Sequence, residues 1–105
     1  MTFEEIIKSN TEPRVLTVLD WDTFADKFSS SNGYSITYRA QVPESYRVYL
    51  QAFVNKMLTM FPEYCDRYEI ISIKQSGKQR VKFGARFIAK DGEVVYVYST
   101  VWEPM

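Results

Sequence analysis

Apolar and polar positions change period several times along the chain, and each change marks an element. Thr2 and Glu5 form a T-x-x-E capping box, a pairing that satisfies two helix-start N–H groups. Phe3, Ile6 and Ile7 follow at helical spacing, which predicts a short helix over residues 2–9. Asn10 to Pro13 reads as a loop. Val15 to Leu19 is a short apolar run that suits either a strand or a buried connector. Asp20 then stands where a helix N-cap belongs. Trp21, Phe24, Ala25 and Phe28 follow at i, i+3, i+4 and i+7, the stripe of a one-faced helix. The polar segment Ser29 to Gly33 ends it.

From Tyr34 to Val42 the pattern alternates with period two, so a half-buried strand is expected there. Pro43 opens a helix that runs to Phe61 and is stopped by Pro62. Its stripe is Tyr46, Leu50, Phe53, Met57 and Phe61. At 1.5 Å per residue it is about 28 Å long, enough to cross a small sheet. Strands are predicted over 68–75, 79–89 and 93–102, joined by hairpins at Ser76-Gly77-Lys78 and Asp91-Gly92. Asp91-Gly92 reads as a two-residue type I′ turn, and Ser76–Lys78 as a three-residue loop. The expected fold class is α+β. Two short N-terminal helices precede a β-α-β-β-β core, with one long helix packed on a curved antiparallel four-stranded sheet. The chain reads as one domain, 1–105, with a helical N-terminal segment over 1–31 and the helix-on-sheet core over 34–103.

Those turn lengths set an expected register. A two-residue turn places Phe87 opposite Tyr96, Ala85 opposite Tyr98 and Val81 opposite Trp102. A three-residue loop pairs Ile73 with Val81 and Ile71 with Phe83. One face then carries Val81, Phe83, Phe87, Tyr96, Tyr98 and Trp102 beneath the long helix. The other carries a cationic row, Lys74, Arg80, Lys82 and Arg86, beside a valine row, Val95, Val97 and Val101. Exposed valine rows are unusual on a solvated face, so something is expected to cover part of it. Residues 1–31 carry a net charge of −3 and residues 67–90 a net charge of +6. The acidic N-terminal helices of the same molecule are one candidate cover. A partner, in a homodimer or a hetero-complex, is the other.

Composition narrows the chemistry. The 105 residues hold 13 Lys+Arg and 13 Asp+Glu, so the balanced charge argues against a chain-wide nucleic-acid glove or an acidic decoy. There is no histidine, which removes the commonest general base, nucleophile partner and metal ligand. The single cysteine, Cys65, can form neither an internal disulfide nor a cysteine-rich zinc site. No metal and no cofactor is expected. The thiol usage suits a reducing, cytoplasmic setting, and neither a signal peptide nor a membrane-spanning run is apparent.

The stretch Arg80 to Phe87 interleaves bases and aromatics and is similar to the RNA-recognition signature of the RRM fold. It departs from that family twice. Phe83 and Phe87 fall on the expected core face, and Asp91-Gly92 leaves no room for the helix an RRM needs there. Ser76-Gly77-Lys78 lacks the frame of a phosphate loop, and capping explains Asp20 and Asp22 without catalysis. Tyr46, Tyr49 and Phe53 could line a cavity under the helix. In element order the chain resembles the cystatin-like and NTF2-like cone folds, where such a cavity binds small molecules.

The expected function is a non-enzymatic protein-binding domain, a regulator or inhibitor of a larger protein of the kind phages encode. Its contact surface would be Lys74, Arg80, Lys82, Arg86, Val95, Val97 and Val101. The alternatives are a nucleic-acid binder using the basic hairpin 74–90 and a small-ligand cavity protein.

Overall fold

The computed structural model describes residues 2–9 and 16–104, so the expected loop at Asn10–Pro13 and the start of the Val15–Leu19 run lie outside the described residues. The element order is α1 (Phe3–Ser9), β1 (Leu16–Asp20), α2 (Trp21–Lys27), a 3₁₀ turn (Ser30–Asn32), β2 (Tyr34–Tyr38), α3 (Glu44–Met60), β3 (Cys65–Gln75), β4 (Arg80–Ala89), β5 (Val94–Ser99) and β6 (Glu103–Pro104). The fold is α+β, with the long helix lying against a wholly antiparallel sheet in the order β1-β5-β4-β3-β2. The short β6 pairs with the start of β4. The apolar run that could be strand or connector is therefore an edge strand, paired with β5.

The local signals act where the sequence places them. The N–H of Glu5 donates to the Thr2 hydroxyl at 3.1 Å, and that hydroxyl donates to the Glu5 carboxylate at 3.1 Å. The N–H of Thr23 donates to the Asp20 carboxylate at 2.7 Å, starting α2. That bond holds the Asp20 carboxyl below its ordinary range. Pro43 precedes α3, and Phe61 closes it. β2 stops four residues earlier than the alternation suggests, because Arg39 adopts a left-handed conformation (φ 56). Pairing then resumes for one bond, Ala40 N–H to the Ile70 carbonyl.

Both hairpin registers differ from the expected ones by one residue. At the last hairpin, the Gly92 N–H donates to the Ala89 carbonyl and the Ala89 N–H to the Glu93 carbonyl. Gly92 has φ +94, so the connection is a three-residue loop, a turn followed by a left-handed glycine, rather than a two-residue type I′ turn. The Asp91 carboxylate also accepts the Glu93 N–H at 2.9 Å. Consequently Phe87 faces Val95, Arg86 faces Tyr96 and Gly84 faces Tyr98. The loop between β3 and β4 holds four residues, 76–79, so Lys74 faces Val81 and Ser72 faces Phe83. A one-residue change exchanges the faces of a strand relative to its neighbour.

The resulting inner face carries Phe83, Ala85, Phe87, Val95 and Val97, covered by Leu50, Phe53, Val54 and Met57 of α3 and by Phe3, Ile6 and Ile7 of α1. The outer face carries Ile71, Ile73, Tyr96 and Tyr98, covered by Phe24 and Phe28 of α2. The two N-terminal helices thus separate. Only α2 lies on the face that holds the cations.

Candidate functional site

The seven residues of the expected surface do not stay together. Val95 and Val97 are fully buried in the inner core, and Lys74 stands on the inner side of the sheet beside Val81. Val101 is exposed at the bend between β5 and β6. There the Ser99 hydroxyl donates to the Val101 carbonyl and accepts the Val101 N–H. Arg80, Lys82 and Arg86 remain in line on the outer face, because they alternate along β4 opposite Phe83 and Phe87. The valine row is replaced by rings. Tyr96 and Tyr98 come to the outer face with the register change, and Trp102 joins them through the β6 pairing.

Two clusters result. In the first, Lys82 Nζ lies 5.2 Å from the Tyr98 ring centre and 4.9 Å from that of Trp102. The Arg80 guanidinium lies 4.8 Å from the Trp102 ring, and two of its nitrogens donate to the Gln75 side-chain oxygen. Lys27 of α2 donates to the Tyr98 hydroxyl at 3.4 Å. Cation–π attraction offsets part of the cost of gathering these charges. No carboxylate does so among the described residues, where the ion pairs are Glu4–Lys8 and Glu69–Arg86. Lys82 is only 8% exposed. Burial first, then Lys27 and Arg80, push its ammonium below the usual lysine range.

The second cluster is compensated. Arg86 pairs with Glu69 and lies over the Tyr38 ring at 4.6 Å. The hydroxyls of Tyr38 and Tyr96 are 3.2 Å apart. Phe24 stacks on Tyr96 with ring centres 3.7 Å apart and planes 3° from parallel. Burial, then the Tyr38 hydroxyl, push the Tyr96 phenol up to about 12.

Sequence reasoning missed Lys27, Tyr98 and Trp102 as members of the site. The available signal was the three-residue alternative at Asp91-Gly92. It places both tyrosines with the cations. Cys65 is buried, and burial followed by the Asp66 charge pushes its thiol up, away from thiolate chemistry. Under the middle of the long helix, Phe53 meets Phe87 edge-on at 5.7 Å, while Tyr49 is exposed.

The tyrosines give a pH dependence. Tyr46 is also raised to about 12, by burial and then by Glu103. A phenol that titrates near 10 when unfolded and about 12 when folded holds its proton better in the native state, so its contribution is complete below pH 10 and lost between 10 and 12. Lys82 has the opposite sign. It binds its proton better when unfolded, so stability rises as pH approaches 10.5 from below. The urea midpoint is expected to rise into that range, then fall steeply towards pH 12, and Tyr96→Phe should flatten the fall.

No helix among the described residues is long and apolar enough to cross a membrane. A scan of protein-family models and a search of curated proteins found no match, so the reading of function starts from this charged and aromatic patch.

Proposed function

We propose that this is a non-enzymatic binding domain that captures an acidic partner protein through Lys27, Arg80 and Lys82 around Trp102. One observation carries this reading. Three cations converge on two rings without a carboxylate among the described residues, so the patch holds charge that a partner's acids would compensate. Interfaces are enriched in Trp, Tyr and Arg at their centres, and opposite charge sets orientation and on-rate. Tyr38 (41% exposed) and Val101 (55%) supply apolar surface beyond the charged centre. A regulator or inhibitor of a larger protein fits this chemistry.

Affinity capture from the native host, followed by titration of the captured protein, tests the proposal. A Lys27→Glu/Arg80→Glu variant is expected to lose the partner by at least about a hundredfold, since each reversed charge costs several kcal/mol at a complementary interface. Its urea midpoint should stay near that of the parent. Lys74→Glu, on the opposite face, should bind normally. Undiminished capture by the double variant would refute the assignment.

A second reading has its own observation. The Trp102 and Tyr34 rings are within 12° of parallel, 6.1 Å apart, with Arg80 and Lys82 beside Trp102. Cations with stacking rings also suit single-stranded nucleic acid. Three phosphate contacts would give a log–log salt slope of about −2. No binding of single-stranded probes at low salt would remove this reading.

A further inference from the structure

The opposite side of the sheet holds a second, independent feature. α3 begins at Glu44, above one end of the inner face, and leaves a groove of about 570 Å³ there. Its floor is Val81 and Phe83, with the Tyr46 ring packed on Phe83 at 5.1 Å. Small-molecule sites are concave, mostly apolar and carry a few convergent polar groups.

The polar groups are placed by register. Lys74, Val81 and Glu103 stand side by side on β3, β4 and β6. Strands lie about 4.8 Å apart, so the Lys74 and Glu103 backbones are separated by roughly 10 Å with Val81 between. The next row holds Thr37, Ser72 and Phe83. Ser72 is 4% exposed and lines the groove, and no hydrogen bond engages its hydroxyl among the described residues. Among the described residues only Arg86 Nε is a sealed, unpartnered side-chain N or O atom, so the Ser72 oxygen stays accessible and can donate to a molecule in the groove.

The first turn of α3 adds donors. Pro43 has no side chain that can cap it, and the Pro43 carbonyl receives the N–H groups of Tyr46 and Arg47. The N–H groups of Glu44 and Ser45 have no such partner among the described residues, and Ser45 borders the groove. Unpaired N–H groups at a helix start favour an anion. At the far side Glu103 borders the groove from β6, next to Val81, which makes that end acidic.

We propose that this groove binds a small organic carboxylate with a short apolar body. The carboxylate would sit between Lys74, the Ser72 hydroxyl and the first turn of α3. The body would lie on Val81 and Phe83 and point toward Glu103, whose acid fixes the orientation by repelling the ligand's own. The roughly 10 Å between the two charged positions limits the body to about the size of one aromatic ring.

Phenylacetate is the probe, with phenylacetamide as its uncharged match, titrated into the isotope-labelled full chain and followed by amide NMR shifts. Phenylacetate should give saturable shifts at Ser72, Phe83 and Ser45 with a Kd of about a millimolar or tighter, the range such small ligands reach. The amide should bind at least about tenfold more weakly, as should phenylacetate to Lys74→Gln, because a charge-assisted bond is lost. Ser72→Ala should weaken binding several-fold. The Lys27→Glu/Arg80→Glu variant should bind phenylacetate like the parent, which separates this site from the outer patch. Absence of saturation at about 20 mM, equal binding of the amide, or shifts centred on Trp102 would each overturn the proposal.

Discussion

Replacing Gly84 by alanine is expected to destabilise the protein by about 3 kcal/mol or more, and to leave it largely unfolded if its stability is at the low end for a domain of this size. Gly84 stands in the middle of β4, opposite Tyr98. A Cβ added there would lie 2.7 Å from the Tyr98 Cα and 2.8 Å from the Tyr98 Cβ, and closer still to the Val97 carbonyl oxygen. These are backbone or backbone-proximal atoms of the neighbouring strand, so no rotamer change relieves the clash. β4 and β5 would have to separate at their centre, breaking the ladder that sets both faces. Overpacking alone costs about 1–3 kcal/mol, and a lost ladder adds to it. Gly77→Ala serves as a comparison, because nothing lies within 4 Å of its added Cβ. Its positive φ makes the cost only about 1 kcal/mol. Urea denaturation followed by circular dichroism checks both, and a Gly84→Ala midpoint close to that of the parent would contradict the described pairing.

Phe87→Ala is the second large effect, a loss of about 3–5 kcal/mol. Phe87 is completely buried and sits in the cluster that joins α1 and α3 to the sheet. Phe53 meets it edge-on, with planes 81° apart. Truncation would remove the transfer energy of a whole ring and leave a cavity between elements that cannot collapse without moving the long helix. Phe87→Leu, which keeps most of the volume, should cost much less. The same urea titration checks the pair, and a loss below about 1 kcal/mol for Phe87→Ala would mean that the inner face is not the core.

Local chemistry is legible in the sequence itself. Thr2 and Glu5, Asp20, and the proline pair Pro43 and Pro62 bound the three helices, because a cap or a missing N–H acts within one turn of the residue that carries it. The stripe Leu50, Phe53 and Met57 is the buried one, and Phe83 and Phe87 lie beneath it. The outer patch was legible only in its cations. Arg80, Lys82 and Arg86 share a face by alternation within one strand, whatever the neighbours do.

What sequence alone could not decide was which residues of the next strand stand beside them. That depends on one residue of loop length. Asp91-Gly92 is compatible with a two-residue turn and with a three-residue loop that puts Gly92 in the left-handed region. The observed loop buries Val95 and Val97 with the phenylalanines and sends Tyr96 and Tyr98 to the cations. Likewise, net charge suggested that the N-terminal helices travel together, yet α1 packs inside against Phe53 and Met57 while α2 covers the tyrosines. Sequence determined the three helices, their caps and the alternation within strands β2 to β5, because these arise from interactions a few residues apart, while β1 and β6 depend on the strands they pair with. The tertiary structure decided register, the partition of the two helices and the company each cation keeps. Those choices maximise buried apolar area and minimise unpaired polar groups summed over the whole molecule, and no single segment encodes them.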